Sequence, residues 1–527
     1  IELSDTSNHN SIDNALKGAV DGLASVLFWE PGFLKFDVTH EVEATKRVGV
    51  PLIVLVLLLG GIFFTFYHRW INIRAFRHAI AVTRGQYDNP NDPGEISHFQ
   101  ALTSALSATV GLGNIAGVAV AIAIGGPGAV VWMIIIGILG MSAKFHESTL
   151  AQIYRQVDAD GTVHGGPMYY LEIGLAKRGF PKIIGKSMAV VFAIFCIGGS
   201  FGGGNMFQAN QAAAILESAF SGFSNVRWVI GCTMALLVGL VIIGGIKRIG
   251  QVTEKIIPFM CGLYVLACIV VIVSHIEAIP AAFALIFSSA FSMHAGVGGI
   301  VGVAVQGIKR AVFSNEAGIG SAAIAHSAAK TDEPVREGIV AMLGPFIDTV
   351  VICTMTALVV IVTGAYSNPA AGKGVEMTHW AFASTLSWFP TLLGISVFLF
   401  AFSTMISWSY YGEKSWQYLF GRTRFMSLAY KFIFLACVVL GSVTSLDIVI
   451  TFSDLMILSM AFPNIIGGIL LAPKVKELTN NYWKRYKEVS ESSIGAAGGA
   501  AEGDLGTHAA AKLKIKTRVR MFLIGML

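Results

Sequence analysis

The stretch Ser107-Ala108-Thr109-Val110-Gly111-Leu112-Gly113-Asn114-Ile115-Ala116-Gly117 sits in the middle of an otherwise apolar segment long enough to cross a bilayer. Its glycines weaken the helix there, and Asn114 puts an amide at membrane depth, where polar groups are costly unless they face protein or water. A second stretch repeats the arrangement: Phe313-Ser314-Asn315-Glu316-Ala317-Gly318-Ile319-Gly320-Ser321. Both carry Gly-x-Gly-x-x-Ala, starting at Gly111 and Gly318. That spacing also marks dinucleotide-binding turns, but such a turn follows a strand and opens a helix, whereas here it interrupts apolar spans. Close helix packing explains glycines alone, not the polar groups that share the breaks. A helix broken in this way exposes N–H groups at one half-helix start and C=O groups at the other half-helix end. The donors suit a carboxylate and the carbonyls suit a small cation, so a zwitterion bound with an alkali cation would use both.

Outward from the breaks, the 527-residue chain is 54% hydrophobic and only 13% charged, about half the charged share of a soluble domain. A water-soluble enzyme is excluded by that balance. The 58 glycines stand against only 15 prolines, so they belong to ordered apolar segments and not to a collagen-like or linker sequence. Apolar runs predict helices near 48–68, 99–124, 127–153, 185–219, 227–246, 256–275, 297–324, 338–363, 389–411, 427–445 and 448–472. The expected fold class is therefore an all-α polytopic membrane protein with about 11 transmembrane helices. With the loop after the first span on the inside, the inner loops gather eighteen Lys and Arg residues, among them Arg69, Arg84, Lys177, Lys186, Lys247, Lys330 and Lys431. The opposite loops hold only Arg227 and Lys373. By the positive-inside rule, the N-terminus is outside and the C-terminus cytoplasmic.

The two broken spans open two consecutive sets of five, and since five is odd the second set runs in the opposite sense. The organisation expected is a 1–47 extracytoplasmic segment, an additional helix at 48–68, a first repeat at 99–275, an inverted repeat at 296–472 and a partly disordered 473–527 cytoplasmic tail. Residues 1–47 begin at Ile1 and not Met, which fits a mature chain whose leader has been removed and equally a shortened sequence. In the tail, Lys512–Arg520 reads KLKIKTRVR, either a solvated end or a segment lying on an anionic leaflet.

Other polar groups at membrane depth are candidates with bland alternatives. On the ninth span, Ser403 and Thr404 offer hard oxygen ligands, and Thr404 shares a helix face with Trp408; the alternative is that the hydroxyls bond their own helix carbonyls. Asn205, Gln208, Asn210 and Gln211 follow a glycine run on the fourth span and cannot all face lipid. Lys144 and Glu147 are three apart and would pair or snorkel. Asp348 and Glu316 could titrate, coordinate or hold loops. Lys309 and Arg310 could close an ion pair with Asp447 or Asp454. The six cysteines lie in apolar runs without metal-ligand spacing and read as small core residues. Nucleic acid is not an expected partner, and no cofactor is expected.

Several of these motifs together resemble the alanine or glycine:cation symporter family: TVGLGNIAG (109–117), GGPGAVVW (125–132), GGNMFQANQ (203–211), FSNEAGIGSA (313–322) and DTVVICTMTALV (348–359). The likeness extends over about residues 50–475. It implies the leucine-transporter (LeuT-type) 5+5 inverted repeat with one additional N-terminal helix, in a bacterial-type cell (inner) membrane. It also implies uptake of alanine or glycine driven by Na⁺, with H⁺ as the alternative coupling ion. Under this resemblance the substrate carboxylate would meet the N–H groups around Gly111 and Gly113, with Asn114 nearby. Phe313, Ser314, Asn315 and Ile319 would line the site, and Gln208, Thr404 and Trp408 would close it. A Na⁺ site would use the carbonyls of Ser107 and Val110 and the hydroxyls of Ser403 and Thr404. The sequence lacks the Arg-Phe-Pro that follows Gly-Asn in the neurotransmitter branch of the fold, so an outer gate of that design is not expected. Bulky Trp408 and Phe313 leave room only for a small side chain.

Two other classes compete. A channel would use the glycine breaks as a filter, but would be expected to form a repeated filter or a continuous polar pore, whereas inverted breaks in one chain favour alternating access. An intramembrane enzyme would need a nucleophile with its base or metal ligands at helical spacing, and neither stands out.

Overall fold

The computed structural model describes residues 18, 20–32, 35–38, 46–219, 227–291, 296–372 and 374–497. The basic run 512–520 and Lys373 lie outside them. Each of the eleven expected apolar segments contains a helix, from Leu52–Tyr67 to Leu446–Ser459 and its continuation. Among the described residues, seven helices are long and apolar enough to cross a membrane: Ala129–Ile153, Lys182–Glu217, Gly245–Ser274, Pro334–Val362, Phe389–Phe420, Arg424–Val443 and Leu446–Tyr486. An eighth crossing results when His98–Thr109 and Gly113–Gly125, bent by 51°, are taken as one span. The described part of the remaining broken segment is the helix Gly296–Asn315, followed after a break by Ala322–His326. This is an integral membrane protein built of helices, with two short antiparallel hairpins, Lys35–Val38 with Lys46–Gly49 and Gln156–Val157 with Val163–His164.

Local sequence sets the helix ends. Ser97 and Gln100 form a reciprocal capping box that starts His98–Thr109, satisfying two N–H groups that the first turn leaves without partners. Pro334 opens Pro334–Ala341 at the position where its missing N–H costs nothing, and Thr423 caps Arg424–Val443 through the Met426 N–H. Three departures from expectation stand out. The last helix, Ala461–Ala497, continues far past residue 472. The loops expected between spans carry helices of their own, Ile279–Ala290 and Val375–Ala383. A run of short helical pieces, Pro167–Lys177, precedes Lys182–Phe201. Hydropathy windows tuned to crossings miss segments this short.

Packing buries an extended apolar core with the polar groups of the breaks embedded in it, and leaves an apolar outside. Ala129–Ile153 packs against Gly296–Asn315, Pro334–Ala341 and Leu52–Tyr67, and is buried along most of its length. Phe389–Phe420 packs against Lys182–Phe201, Phe207–Ala219, Gly245–Ser274 and the first half of the first broken helix. Arg227–Ile242 and Arg424–Val443 lie against each other and leave Leu236, Leu240, Phe425 and Phe432 exposed. Exposed side chains this apolar belong to a lipid-facing surface, because lipid tails remove the penalty that water would impose.

Candidate functional site

The first break is a real interruption. His98–Thr109 ends at Val110, whose ψ of 85° leaves the helical region, and a π-helical turn over Gly113–Gly117 restarts the second half. Two side-chain amides take the donors set free. Gly111 N–H donates to Asn114 Oδ1 at 2.9 Å, and Leu112 N–H donates to Gln208 Oε1 at 3.1 Å. Gln208 is itself anchored, donating from Nε2 to Gly203 O at 2.8 Å. A Cβ at Gly111 would overlap Thr404 Oγ1 and crowd Gln208 Oε1, and one at Gly113 would come to 3.4 Å from Ser314 Cα. The first break therefore touches the ninth span on one side and the second break on the other.

The second break lies over 316–320, where Glu316 has a φ of 56°, a left-handed conformation uncommon for a residue with a Cβ. Glu147 and Asn464 hold it. Glu147 accepts from Asn464 Nδ2 at 2.9 Å. Asn464 also donates to Gly318 O at 2.8 Å and accepts from Tyr170. Lys144 and Glu147 thus depart from the expected pair or snorkel. Both are buried, Glu147 serves the break, and Lys144 Nζ has no hydrogen-bond partner among the described residues.

Asp348 joins the two breaks, a role no local pattern in the sequence announces. Its fully buried carboxylate accepts from Asn114 Nδ2 at 2.7 Å, from Ser314 Oγ at 2.9 Å and from Thr349 Oγ1 at 2.7 Å. Burying a carboxylate is tolerable only with this many donors. The available signal was the cost of an aspartate within an apolar span. Asn315 is placed differently from Ser314. Its amide donates to Thr349 Oγ1 at 2.9 Å and accepts from Ala317 N–H at 2.9 Å, so it fixes the break against Pro334–Val362. Ile319 is fully buried in the break.

The aromatic walls rest on glycine. A Cβ at Gly204 would overlap the Trp408 ring, and one at Gly203 would come to 3.2 Å from the Phe313 ring. These glycines form the π-helical turn Gly202–Met206, which lets both aromatics approach helix backbone. Phe313 also meets Phe207 edge-on, with ring centroids 5.2 Å apart. Of the four amides on this helix only Gln208 reaches the break. Asn205 donates to Phe434 O, Asn210 to Gly441 O and Thr444 O, and Gln211 accepts from Val375 N–H.

The four expected cation ligands lie where the first break meets the ninth span, and they differ in what they bond. Ser107 Oγ donates to Ser403 O at 2.6 Å. Ser403 Oγ donates to its own helix at Phe400 O, 3.0 Å away, the bland alternative for a membrane serine. Thr404 Oγ1 is buried beside Gly111 with no hydrogen-bond partner among the described residues. Val110 is fully buried at the end of the half-helix.

On the side expected to face outward, Arg310 contacts Asp454 and its guanidinium lies 5.2 Å from the Phe313 ring centre. Lys309 Nζ is 4.0 Å from the same carboxylate. Of the two acids weighed for this pair, Asp454 is the one that forms it; among the described residues Asp447 does not.

Two interrupted helices meeting inside an apolar helical bundle, with a carboxylate bridging them and aromatic walls around them, define a membrane transporter and not an enzyme. The profile of the sodium:alanine symporter family matches residues 37–495, and the chain belongs to that family. It is 43% identical over 432 residues to the sodium/alanine symporter AgcS of Methanococcus maripaludis, covering 81% of this chain and 93% of that protein. It is 36% identical to the probable sodium/glutamine symporter GlnT of Bacillus subtilis, covering 83% and 88% of the two chains. It is also 36% identical to that organism's putative sodium/proton-dependent alanine carrier protein YrbD, covering 82% and 90%. Among solved structures, that of MhsT in complex with L-phenylalanine superposes with a TM-score of 0.51 at 15% identity, covering 82% of this chain and 98% of the other. At that identity the likeness speaks to the fold alone, which is that of the LeuT-type transporters.

Proposed function

We propose that this protein couples inward movement of Na⁺ to uptake of a small neutral amino acid, alanine or glycine, by alternating access between two inverted five-helix repeats. The observation that carries the reading is the convergence on Gly111. Its N–H and that of Leu112 are held by two amide oxygens, and the Thr404 hydroxyl lies against its Cα. A substrate carboxylate would replace the oxygens of Asn114 and Gln208 on these donors, exchanging neutral acceptors for a charged one, which makes the stronger hydrogen bonds. Its side chain would point toward Phe313 and Trp408, and Ser314 would line the second break.

Na⁺ would bind beside this carboxylate site, where the carbonyls of Ser107 and Val110 end the half-helix and Ser403 and Thr404 supply hydroxyls. The unpartnered Thr404 oxygen supports this placement. Ser403 would rotate off Phe400 O to join it. No cofactor is needed, since the ion gradient supplies the driving force. Each ligand must then improve binding of the other by the same factor.

The charge asymmetry of the loops supports an outside N-terminus and a cytoplasmic C-terminus. Membership of the symporter family supports residence in a bacterial-type cell (inner) membrane. Between alanine and larger neutral substrates such as glutamine, the seating of Trp408 on Gly204 favours the small ones. The test is radiolabelled alanine uptake into proteoliposomes under an inward Na⁺ gradient, with a K⁺ control and Thr404→Ala. Accumulation that needs Na⁺ and is lost in the variant is expected. Uptake indifferent to Na⁺ but driven by a pH gradient would transfer the coupling to H⁺, and no uptake under either gradient would overturn the reading.

A further inference from the structure

A cavity of about 1020 Å³ opens between Pro167–Lys177, the start of Lys182–Phe201 and the end of Phe389–Phe420, well away from the two breaks. Four cations line it, Lys177, Lys182, Lys186 and Arg422, against a single carboxylate, Glu172. Part of this charge is already engaged. Lys186 Nζ is 3.2 Å from Glu172 and 4.5 Å from the centre of the Tyr418 ring, and Arg422 bonds Asp158 at 3.0 Å. An excess of positive charge remains, and it faces an open mouth. The rest of the lining combines the amides of Gln156 and Gln417 and two tyrosines with aliphatic side chains, among them Ile183, which is 70% exposed.

The placement of this cavity selects its occupant. Lys182 and Ile183 begin a helix whose exposed face continues through Val191 and Ile194, at helical spacing from Ile183. Such a face belongs against lipid tails. The basic cavity therefore sits where a lipid-facing apolar stripe ends, and Tyr169 and Tyr418 in its wall are of the aromatic type that collects at membrane–water interfaces. A soluble anion would satisfy the lysines but leave the stripe without purpose. A phospholipid with an anionic headgroup satisfies both, its phosphate among the lysines and an acyl chain along Ile183, Val191 and Ile194. We propose that this cavity is a binding site for an anionic phospholipid headgroup on the side of the membrane where the basic loops gather.

Native mass spectrometry of the detergent-purified full chain, incubated with phosphatidylglycerol or phosphatidylcholine, tests the site. Phosphatidylglycerol is expected to stay bound where phosphatidylcholine is stripped away. That retention should be lost in Lys182→Ala/Lys186→Ala and kept in a control at a distant basic pair, Lys247→Ala/Arg248→Ala. Glu172→Gln removes the one lining carboxylate and should raise retention severalfold, an outcome that loss of folding cannot imitate. Equal retention of the two lipids, or no change in the Lys182/Lys186 variant and in Glu172→Gln, would overturn the proposal. Displacement of phosphatidylglycerol by an equal concentration of soluble glycerol phosphate would also overturn it, by making the site one for a free phosphate.

Discussion

The Cα of Gly111 and the hydroxyl of Thr404 are in contact, so that a Cβ at position 111 would overlap Thr404 Oγ1. Thr404 is β-branched and stiff at χ1, and cannot easily swing aside. Gly111→Ala should therefore lower thermal stability and abolish alanine uptake. In a Thr404→Ala background the stability loss from Gly111→Ala should shrink by more than about 0.5 kcal/mol, the coupling expected of residues in contact. A detergent thermal-shift double-mutant cycle measures it, and additive losses would separate the two residues.

Asp348 binds both breaks through Asn114 and Ser314. Asp348→Ala leaves the buried Asn114, Ser314 and Thr349 donors without this acceptor and should lower the thermal midpoint clearly, at about 1–3 kcal/mol for each donor that stays unpaired. Asp348→Asn keeps the shape but brings donors where donors already point, so its thermal midpoint and uptake should both fall. Ser314→Ala removes one of several donors and should be milder, about 1 kcal/mol.

Trp408 rests on Gly204, with Phe313 on Gly203 beside it. Trp408→Ala should open the site to larger neutral amino acids, read as competition of leucine or glutamine against alanine uptake. Gly204→Ala should displace the ring and reduce alanine uptake without widening selectivity. If selectivity in Trp408→Ala remains confined to alanine and glycine, Trp408 does not form the wall.

Arg310 and Asp454 are both buried, and Phe313 lies beneath the guanidinium. Asp454→Asn leaves a buried cation without its partner and should impair uptake strongly, whereas Asp447→Asn should leave it nearly unchanged. Uptake assays on the two variants distinguish the acids.

His78 and His164 lie outside the membrane spans, and both are held down to about 4. Burial is the main cause in each, followed by the positive charge of Arg336 for His78 and of Lys414 for His164. The unfolded chain takes up protons at these positions from about pH 6.5 downward, and the folded one does not. Their neutral forms thus contribute full stability above about pH 6.5, and this is lost as the pH falls toward 4. His78→Gln retains a partner for Tyr482 OH, 2.6 Å from the imidazole, and should flatten the fall in thermal midpoint between pH 6.5 and 5.

That the apolar runs form helices, and that two of them break with polar residues in the breaks, was legible in the sequence, because these are local statements; of the eleven crossings expected, seven, or eight with the bent pair, are long and apolar enough among the described residues. An apolar run must be helical in lipid, and glycine with Asn114 or Ser314 inside such a run interrupts it. The pairings were not legible. That Asn315 turns to Thr349 while Ser314 turns to Asp348, and that Glu147 serves the second break through Asn464 while Lys144 Nζ finds no hydrogen-bond partner among the described residues, depends on which helix faces pass one another. The same holds for the glycine run at 202–204, which the fold uses to seat Trp408 and Phe313. The sequence by itself determined the solvent, the helices and where they break, since hydrophobicity and backbone hydrogen bonding act within a segment. Only the tertiary structure decided the partners at the site, since residues up to about three hundred positions apart, such as Ser107 and Ser403, meet only when the helices pack.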